Sequence, residues 1–307
     1  MFILLVPFLI ILLFILSILF FVRRSLIAGA FFLFSCLLLN FFTQTIPFHP
    51  SFLFNSTTQK KDDQIRILSY NIKYNSDYLR HNNDSLSALI SFIQQQDADI
   101  LVLPESRLNS TNKELRKKLD TIYPYNHSSG YDGNDYYTET YVFSRYPVRN
   151  VKQYGKHYIY EMNIDFADNY SIKLVACHLA SNQSNSSLRK GKGFIQNIRN
   201  GYETREQEVK MICDSLFQHQ GPIIIAGDLN DISGSKTLNT LQNRLKLNDA
   251  WWKTGFGYGA TSVSKKIFFR LDHILYSKHF KSTSIAVPNI NFSDHYPIIT
   301  DLEIQNK

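Results

Sequence analysis

The sequence predicts a layered α/β sandwich, two β-sheets packed together with helices outside. Three observations lead there. Helical and strand-like patterns are mixed along the chain, regions of successive strands joined by turns recur, and no internal repeat is visible. Charged and amide residues also stand repeatedly at the ends of apolar runs, which places them on one rim of a sheet, where sites in α/β proteins are built.

Residues 1–48 are a different material from the rest. Met1 to Val22 carries no charge and is almost wholly Phe, Ile, Leu and Val; after Arg23-Arg24, Ser25 to Phe48 is again uncharged. Roughly 20 apolar residues cross the hydrocarbon of a bilayer, so both segments qualify. A cleaved signal peptide fits poorly: no basic stretch precedes the apolar run, no small-residue cleavage pattern follows it, and the second run would stay unexplained. Residues 1–48 are therefore expected to form a transmembrane helical hairpin anchor, residues 49–64 a polar linker and residues 65–307 one large domain. Arg23 and Arg24 in the tight connection would place that connection in the cytoplasm and the domain on the extracytoplasmic side, although Lys60, Lys61 and Arg66 pull the other way.

Two of the net +7 charges belong to those anchor arginines. The mildly basic remainder suits an anionic substrate or an acidic membrane surface, and equally suits simple solubility. Of three cysteines, Cys36 lies in the second apolar run, Cys177 in an apolar strand and Cys213 on a helix, which reads as buried thiols rather than a disulfide or metal pair.

Within the domain, Ile65 to Tyr70 alternates as a strand. Asp84 to Gln96 sets Leu86, Leu89, Ile90 and Ile93 at helical spacing, with Asp84 or Asn83 as N-cap. Asp99 to Leu103 is a short apolar strand, and Ser110 to Leu119 a surface helix ended by Tyr123-Pro124. Strands follow over Tyr137 to Phe143, Tyr158 to Ile164 and Ser171 to Cys177, the last two joined through an Ala167-Asp168-Asn169 turn. After a polar insertion, Ser181 to Arg199, the periodicity predicts a helix over Tyr202 to Phe217 with Val209, Ile212, Leu216 and Phe217 as its apolar face. Pro222 to Ala226 is a wholly buried strand, and Leu271 to Tyr276, Ser284 to Val287 and Pro297 to Ile304 complete the sheets.

Asn71, Glu105 and Asp294 offer only oxygen donors, which select Mg²⁺, Mn²⁺ or Ca²⁺ over zinc. Singly, Asn71 could cap a turn, Glu105 could pair with Arg107, and Asp294 could cap the next element; together, at the ends of three strands, they favour a metal. In Gly227-Asp228-Leu229-Asn230-Asp231 the alternation of a strand would project Asp228 and Asn230 to one side. A carboxylate there orients or deprotonates a water, and an amide donates to a phosphoryl oxygen, against the alternative of an Asx-stabilised turn. His178 and His295 are candidates for proton transfer or charge stabilisation; Asp272 could orient His295, while His273 would face the opposite way and pack. There is no phosphate-binding Gly-Lys-Ser/Thr loop, nucleophile elbow or zinc spacing.

With these residues assembled, the chain resembles the endonuclease/exonuclease/phosphatase superfamily, the DNase I-like fold, over about Ile65 to Glu303. The match runs in order through Ile67-Leu68-Ser69-Tyr70-Asn71, Leu101-Val102-Leu103-Pro104-Glu105, Phe143-Ser144-Arg145-Tyr146-Pro147-Val148, Cys177-His178-Leu179, Gly227-Asp228-Leu229-Asn230-Asp231, Arg270-Leu271-Asp272 and Ser293-Asp294-His295-Tyr296-Pro297. The resemblance implies a four-layer α/β sandwich and phosphoester hydrolysis dependent on Mg²⁺, with Mn²⁺ as substitute. It implies that Asn71 and Glu105 bind the metal, with Asp294 contributing directly or through water. It further implies that Asp228 positions and activates the attacking water, Asn230 holds a phosphoryl oxygen, Asp272 orients His295, and His178 contacts the phosphate or leaving-group side. Pro104 departs from the Gln of many members, His273 from a common Tyr, and Glu139-Thr140-Tyr141 from small or Gly-rich residues, the last near the substrate-facing rim.

The expected activity is thus a membrane-anchored phosphodiesterase or phosphatase acting on a lipid head group, nucleic acid or small phosphate ester, with no obligate protein partner. A nuclease is the alternative, on the strength of the basic residues Arg189, Lys190, Lys192 and Arg199. A catalytically silent membrane-tethered binding module is a third, disfavoured because each position expected to act holds a competent residue.

Overall fold

The structure is a computed structural model that describes residues 63–73, 83–108, 112–128, 139–154, 159–167, 170–181, 192–264 and 267–305, with scattered positions between 14 and 61. Most of the expected transmembrane hairpin and its linker, the Asp168-Asn169 turn and the first part of the polar insertion lie outside the described residues. Among the described residues no helix is long and apolar enough to cross a membrane.

The elements in chain order are β1 (Gln64–Ser69), α1 (Asn83–Gln96), β2 (Ile100–Ser106), α2 (Lys113–Ile122), β3 (Tyr125–His127), β4 (Glu139–Ser144), β5 (Val148–Tyr154), β6 (Ile159–Ala167), β7 (Tyr170–His178), α3 (Lys192–Leu216), β8 (Ile223–Asp228), α4 (Lys236–Leu245), β9 (Asn248–Asp249), α5 (Ala250–Thr254), β10 (Ser262–Ser264), β11 (Ile267–Phe269), β12 (Asp272–Tyr276), β13 (Phe280–Ala286) and β14 (Ile298–Ile304). One sheet has the order β13-β14-β1-β2-β4-β3, the other β5-β6-β7-β8-β12-β9, and β10-β11 is a separate hairpin.

Side-chain alternation sets the layers. Ile65 and Ile67 of β1, Ile100 and Val102 of β2, Leu174 and Ala176 of β7 and Ile274 of β12 all turn inward and fill the space between the sheets. The opposite face of the first sheet, through Leu68, Leu101 and Phe143, packs on Leu89 and Ile93 of α1 and Leu115 and Leu119 of α2. The opposite face of the second, through Val175, Cys177 and Ile225, packs on Val209, Ile212 and Cys213 of α3 and Leu238 and Leu241 of α4. Each fully buried aliphatic side chain contributes about 1.5–3 kcal/mol, so both faces of both sheets are committed. The result is the expected four-layer sandwich. Cys177 and Cys213 are buried free thiols.

Several elements differ from the sequence reading. Helix α3 begins at Lys192, ten residues earlier than its apolar stripe, because its first turns lie on the surface and carry polar pairs such as Arg199–Glu203 (2.8 Å) and Gln196–Asn200 (2.8 Å) at i,i+4 spacing. Phe217 is not part of its buried face; the helix ends at Leu216 and Phe217 is exposed. Helix α4 has its own signature: the Ser235 hydroxyl accepts the Leu238 N–H, and Thr237, Leu238, Leu241 and Leu245 are buried at helical spacing. Strand β13 starts at Phe280 rather than Ser284, continuing across an irregularity between Ser282 and Ser284.

The sheet registers bring the site to one rim. In the parallel pair β7–β8 the strands end together at His178 and Asp228, β1 ends at Ser69 beside Val102 of β2, and antiparallel β12 starts beside the end of β8 with Asp272 opposite Asp228. Gly227 is required where β8 passes β7: its φ is +144°, and a Cβ there would lie 1.9 Å from the Cys177 carbonyl oxygen.

Candidate active site

Asp228 is the meeting point of the two sheets. Its Oδ2 accepts from Asn71 Nδ2 of the first sheet at 3.0 Å, and lies 3.9 Å from both His178 Nε2 at the end of β7 and His295 Nε2 in the connection from β13 to β14. Asn71 is fully buried and Asp228 almost so. The same Asn71 amide nitrogen donates to Glu105 Oε2 at 3.2 Å, linking β1 to β2.

Glu105 reaches that position through an irregular strand end. The β2–β4 register shifts between Leu103 and Ser106, and Glu105 takes φ +52° there. Pro104 has no N–H to lose from a ladder, so a bulge at Pro104-Glu105 costs little pairing and turns the carboxylate toward Asn71. The Ser106 hydroxyl ties the bulge by donating to Leu103 O at 3.1 Å.

Asp228 and Asn230 do not share a side by strand alternation. β8 ends at Asp228, Asn230 has φ +51°, and the Asn230 N–H donates to Asp228 Oδ1 at 2.8 Å, an Asx turn. The turn serves the site, because it fixes the carboxylate while the Asn230 side chain donates to Leu179 O at 2.8 Å. One of the two Asn230 amide hydrogens is thereby engaged in holding the His178 strand end.

Asp272 and His295 form a buried pair, Nδ1 to Oδ2 at 2.7 Å. The Asp272 backbone N–H, with that of Leu271, is held by the Thr261 hydroxyl (3.0 and 3.1 Å), and the Tyr296 N–H donates to Thr261 O, so one threonine registers both halves of the pair. Burial opposes charge on the imidazole, yet the carboxylates of Asp272, Asp228 and Asp294 outweigh it and push His295 up to about 10. Burial also raises the Asp272 carboxyl, the His295 charge draws it back and Asp228 raises it again. The surrounding carboxylates thus favour the cationic form of His295, whose Nε2 faces Asp228.

Two residues the sequence reading did not single out, Arg205 and Glu208 on α3, grip the peptide of Ala180 from both sides. Arg205 Nη1 donates to Ala180 O at 2.6 Å and Glu208 Oε2 accepts the Ala180 N–H at 2.9 Å, while Arg205 Nε stands 3.6 Å from Asp231 Oδ2. Burial raises the Glu208 carboxyl, and the Ala180 N–H, His178 and Arg205 lower it in part. Their signal was present: both are charged residues on the same helix face as Val209 and Ile212, and buried charges are kept only when paired or hydrogen-bonded.

The donor set suits a hard divalent cation. Asn71 and Glu105 touch, no cysteine joins them, and Asp294 stands on the same rim with Lys73 Nζ at 2.5 Å. Asn71 Oδ1, the ligand atom, accepts the Lys73 N–H at 3.0 Å and keeps a second lone pair. Among the described residues a further group stands beside this set: ligand atoms of Asp228, Asp272 and His295 lie within 4.8 Å of one another. That cluster shares Asp228 with the Asn71 contact and so borders the same rim.

A family model described as "Endonuclease/Exonuclease/phosphatase family" matches residues 68–295, a span that begins just before Asn71 and ends on His295. The chain belongs to this family. Its members are metal-dependent phosphoester hydrolases, and this chain is a hydrolase acting on ester bonds. Among solved structures, the family protein from Bacteroides thetaiotaomicron superposes with a TM-score of 0.60 at 16% identity, covering 81% of this chain and 100% of that one. The family protein from Bacteroides vulgatus gives 0.58 at 17% identity, covering 79% and 99%. The human Nocturnin catalytic domain with bound sulfate anion gives 0.57 at 14% identity, covering 80% and 97%. These likenesses establish the fold. No curated protein sequence matches the chain.

Proposed function

We propose that the protein is a phosphodiesterase, held at a membrane by its N-terminal apolar segment, that cleaves its substrate by in-line attack of an activated water. The observation that carries this reading is the convergence of Asn71, His178 and His295 on one carboxylate oxygen of Asp228. Asp228 accepts a proton from the attacking water or orients it; its other oxygen is fixed by the Asn230 N–H and does not swing. His295, already charged, offers Nε2–H to the negative charge that grows on the phosphoryl oxygens, and Asp272 keeps that proton facing the reaction. Asn230 has its second amide hydrogen for a phosphoryl oxygen, and His178 lies on the leaving-group side. Asn71 and Glu105, with Asp294, would hold Mg²⁺ or Mn²⁺, which when bound offsets charge on the phosphoryl group.

Three contacts bear on the N-terminal segment. The Phe14 and Phe32 rings, one from each apolar run, stack with centroids 5.4 Å apart. At the end of the second run, Pro47 O accepts the Gly257 N–H at 2.9 Å and His49 Nε2 lies 3.0 Å from Trp252 O, so this stretch is seated on α5 and the loop that follows it. We place the catalytic domain on the extracytoplasmic side, from Arg23-Arg24 in the connection between the runs.

The test is hydrolysis of a bis-aryl phosphodiester by the purified full chain. Activity should require Mg²⁺ or Mn²⁺, vanish with EDTA, and fall by about 10³-fold or more in Asp228→Ala. Full activity in that variant would sink the proposal.

A further inference from the structure

Among the described residues six non-glycine residues have positive φ, and three of them stand in the site: Glu105 at 52°, Asn230 at 51° and Lys73 at 41°. Left-handed backbone is tolerated by asparagine and costs a lysine or a glutamate, so it persists where the surroundings enforce it and clusters at working residues. Glu105 and Asn230 already have places in the proposed chemistry. Lys73 has none.

Its conformation is held by the site itself. The Lys73 N–H donates to Asn71 Oδ1 at 3.0 Å, closing a turn that throws the side chain back over the rim, and its ammonium rests on Asp294 Oδ2 at 2.5 Å. Both side chains are well exposed, 44% for Lys73 and 38% for Asp294. An ion pair that open adds little to stability, so stability does not account for a strained lysine at this position. What the geometry does accomplish is electrostatic. It places a cation, on a flexible four-carbon stem, against a partly exposed carboxylate of the oxygen-donor set.

We propose that Lys73 is a further substrate-binding residue of this site: its ammonium is the resident counter-ion of Asp294, yields that carboxylate to a divalent cation, and then takes an oxygen of the substrate's phosphoryl group. The proposal rests on the phosphoester-hydrolase reading for its second half and on the Lys73–Asp294 contact alone for its first. The lysine and the metal compete for Asp294. Once displaced, the ammonium remains within one side-chain length of the rim formed by Asn71, Glu105 and Asp228, where the only other cation argued for is His295.

The experiment uses the full chain, stripped of metal by chelation and dialysis, as wild type, Lys73→Met and Lys73→Arg. Mn²⁺ binding is followed by calorimetry, and KM and kcat for a bis-aryl phosphodiester and inhibition by inorganic phosphate are measured at saturating Mn²⁺. Lys73→Met should bind Mn²⁺ several-fold more tightly, because the competitor is gone, while KM rises about tenfold, as loss of one charge-assisted hydrogen bond predicts. Phosphate inhibition should weaken with it and kcat should change little. Lys73→Arg should restore KM and phosphate inhibition. Unchanged Mn²⁺ affinity, or unchanged KM, in Lys73→Met overturns the proposal. If wild type itself fails to hydrolyse the diester, the functional reading falls, and the Mn²⁺ isotherms still judge whether Lys73 guards Asp294.

Discussion

Asp272 and His273 are neighbours on β12, both buried, and each belongs to an aspartate–histidine pair on an opposite face of the strand. On one face Asp272 holds His295, whose Nε2 looks across 3.9 Å to Asp228, beyond hydrogen-bond reach. On the other face His273 stands between Arg270 (Nη1 to Nδ1, 3.1 Å) and the Asp231 carbonyl (Nε2 to O, 3.0 Å), while Arg270 also bonds Asp249 at 2.8 Å. The second cluster is closed, with both ring nitrogens taken by the protein. The first is open at one nitrogen. Residue type and burial are the same in both, so the difference lies in whether a polar atom is left facing a space where a substrate can stand.

Three experiments sharpen that contrast. The largest effect is expected in catalysis: His295→Gln should lower kcat by about 10²–10⁴-fold, whereas His273→Gln should leave kcat within a few-fold and lower the melting temperature. Steady-state kinetics and thermal unfolding on the two variants decide it, and equal kinetic damage from both would erase the distinction. Next comes the closed cluster's own strength. Arg270→Met leaves Asp249 buried without its main partner and should cost about 3–5 kcal/mol in urea unfolding.

The smallest effect separates the clusters by pH. Despite the cost of burial, Arg270 and His273 hold the Asp249 carboxyl well below the usual carboxylate range. Its folded value lies below its unfolded one, so its contribution is complete above the usual range and fades as pH falls through the folded value. His295 has the opposite sign. Raised to about 10 from an ordinary value of 6.5, it contributes fully below pH 6.5 and loses that contribution as pH rises through 10. Urea unfolding of the metal-free chain across pH should therefore lose an acid limb in Asp249→Asn and an alkaline limb in His295→Gln, with slopes of about 1.4 kcal/mol per pH unit at most.

Most of the site was legible because its residues close apolar runs. Asn71, Glu105, His178, Asp228, Asp272 and His295 could be placed on one rim by counting along strands, and the structure gathers them there. The assembly was less legible wherever it depended on departures from regular strands. Alternation misplaced the relation of Asp228 and Asn230, which are tied by an Asx turn, and gave no hint that Glu105 sits in a bulge. Asp294 was expected among the metal ligands, and the structure joins it to Lys73, a lysine that sequence spacing alone does not mark. Arg205 and Glu208 were hidden for another reason: the helix pattern is read through its apolar residues, and these two share the buried face as charged ones.

The sequence by itself determined the layers, since a period of two in the strands and of 3.6 in the helices decides which faces are buried. It also determined that the first 48 residues differ from the rest, through two charge-free apolar runs. Only the tertiary structure decided which polar atoms meet. The pairing of Asp272 with Asp228, the reach of Asn71 across to the other sheet and the grip of α3 on Ala180 join residues far apart in the chain. Such contacts depend on register and on how two sheets and a helix settle against one another, and those are set by the packing of whole surfaces rather than by any local run of residues.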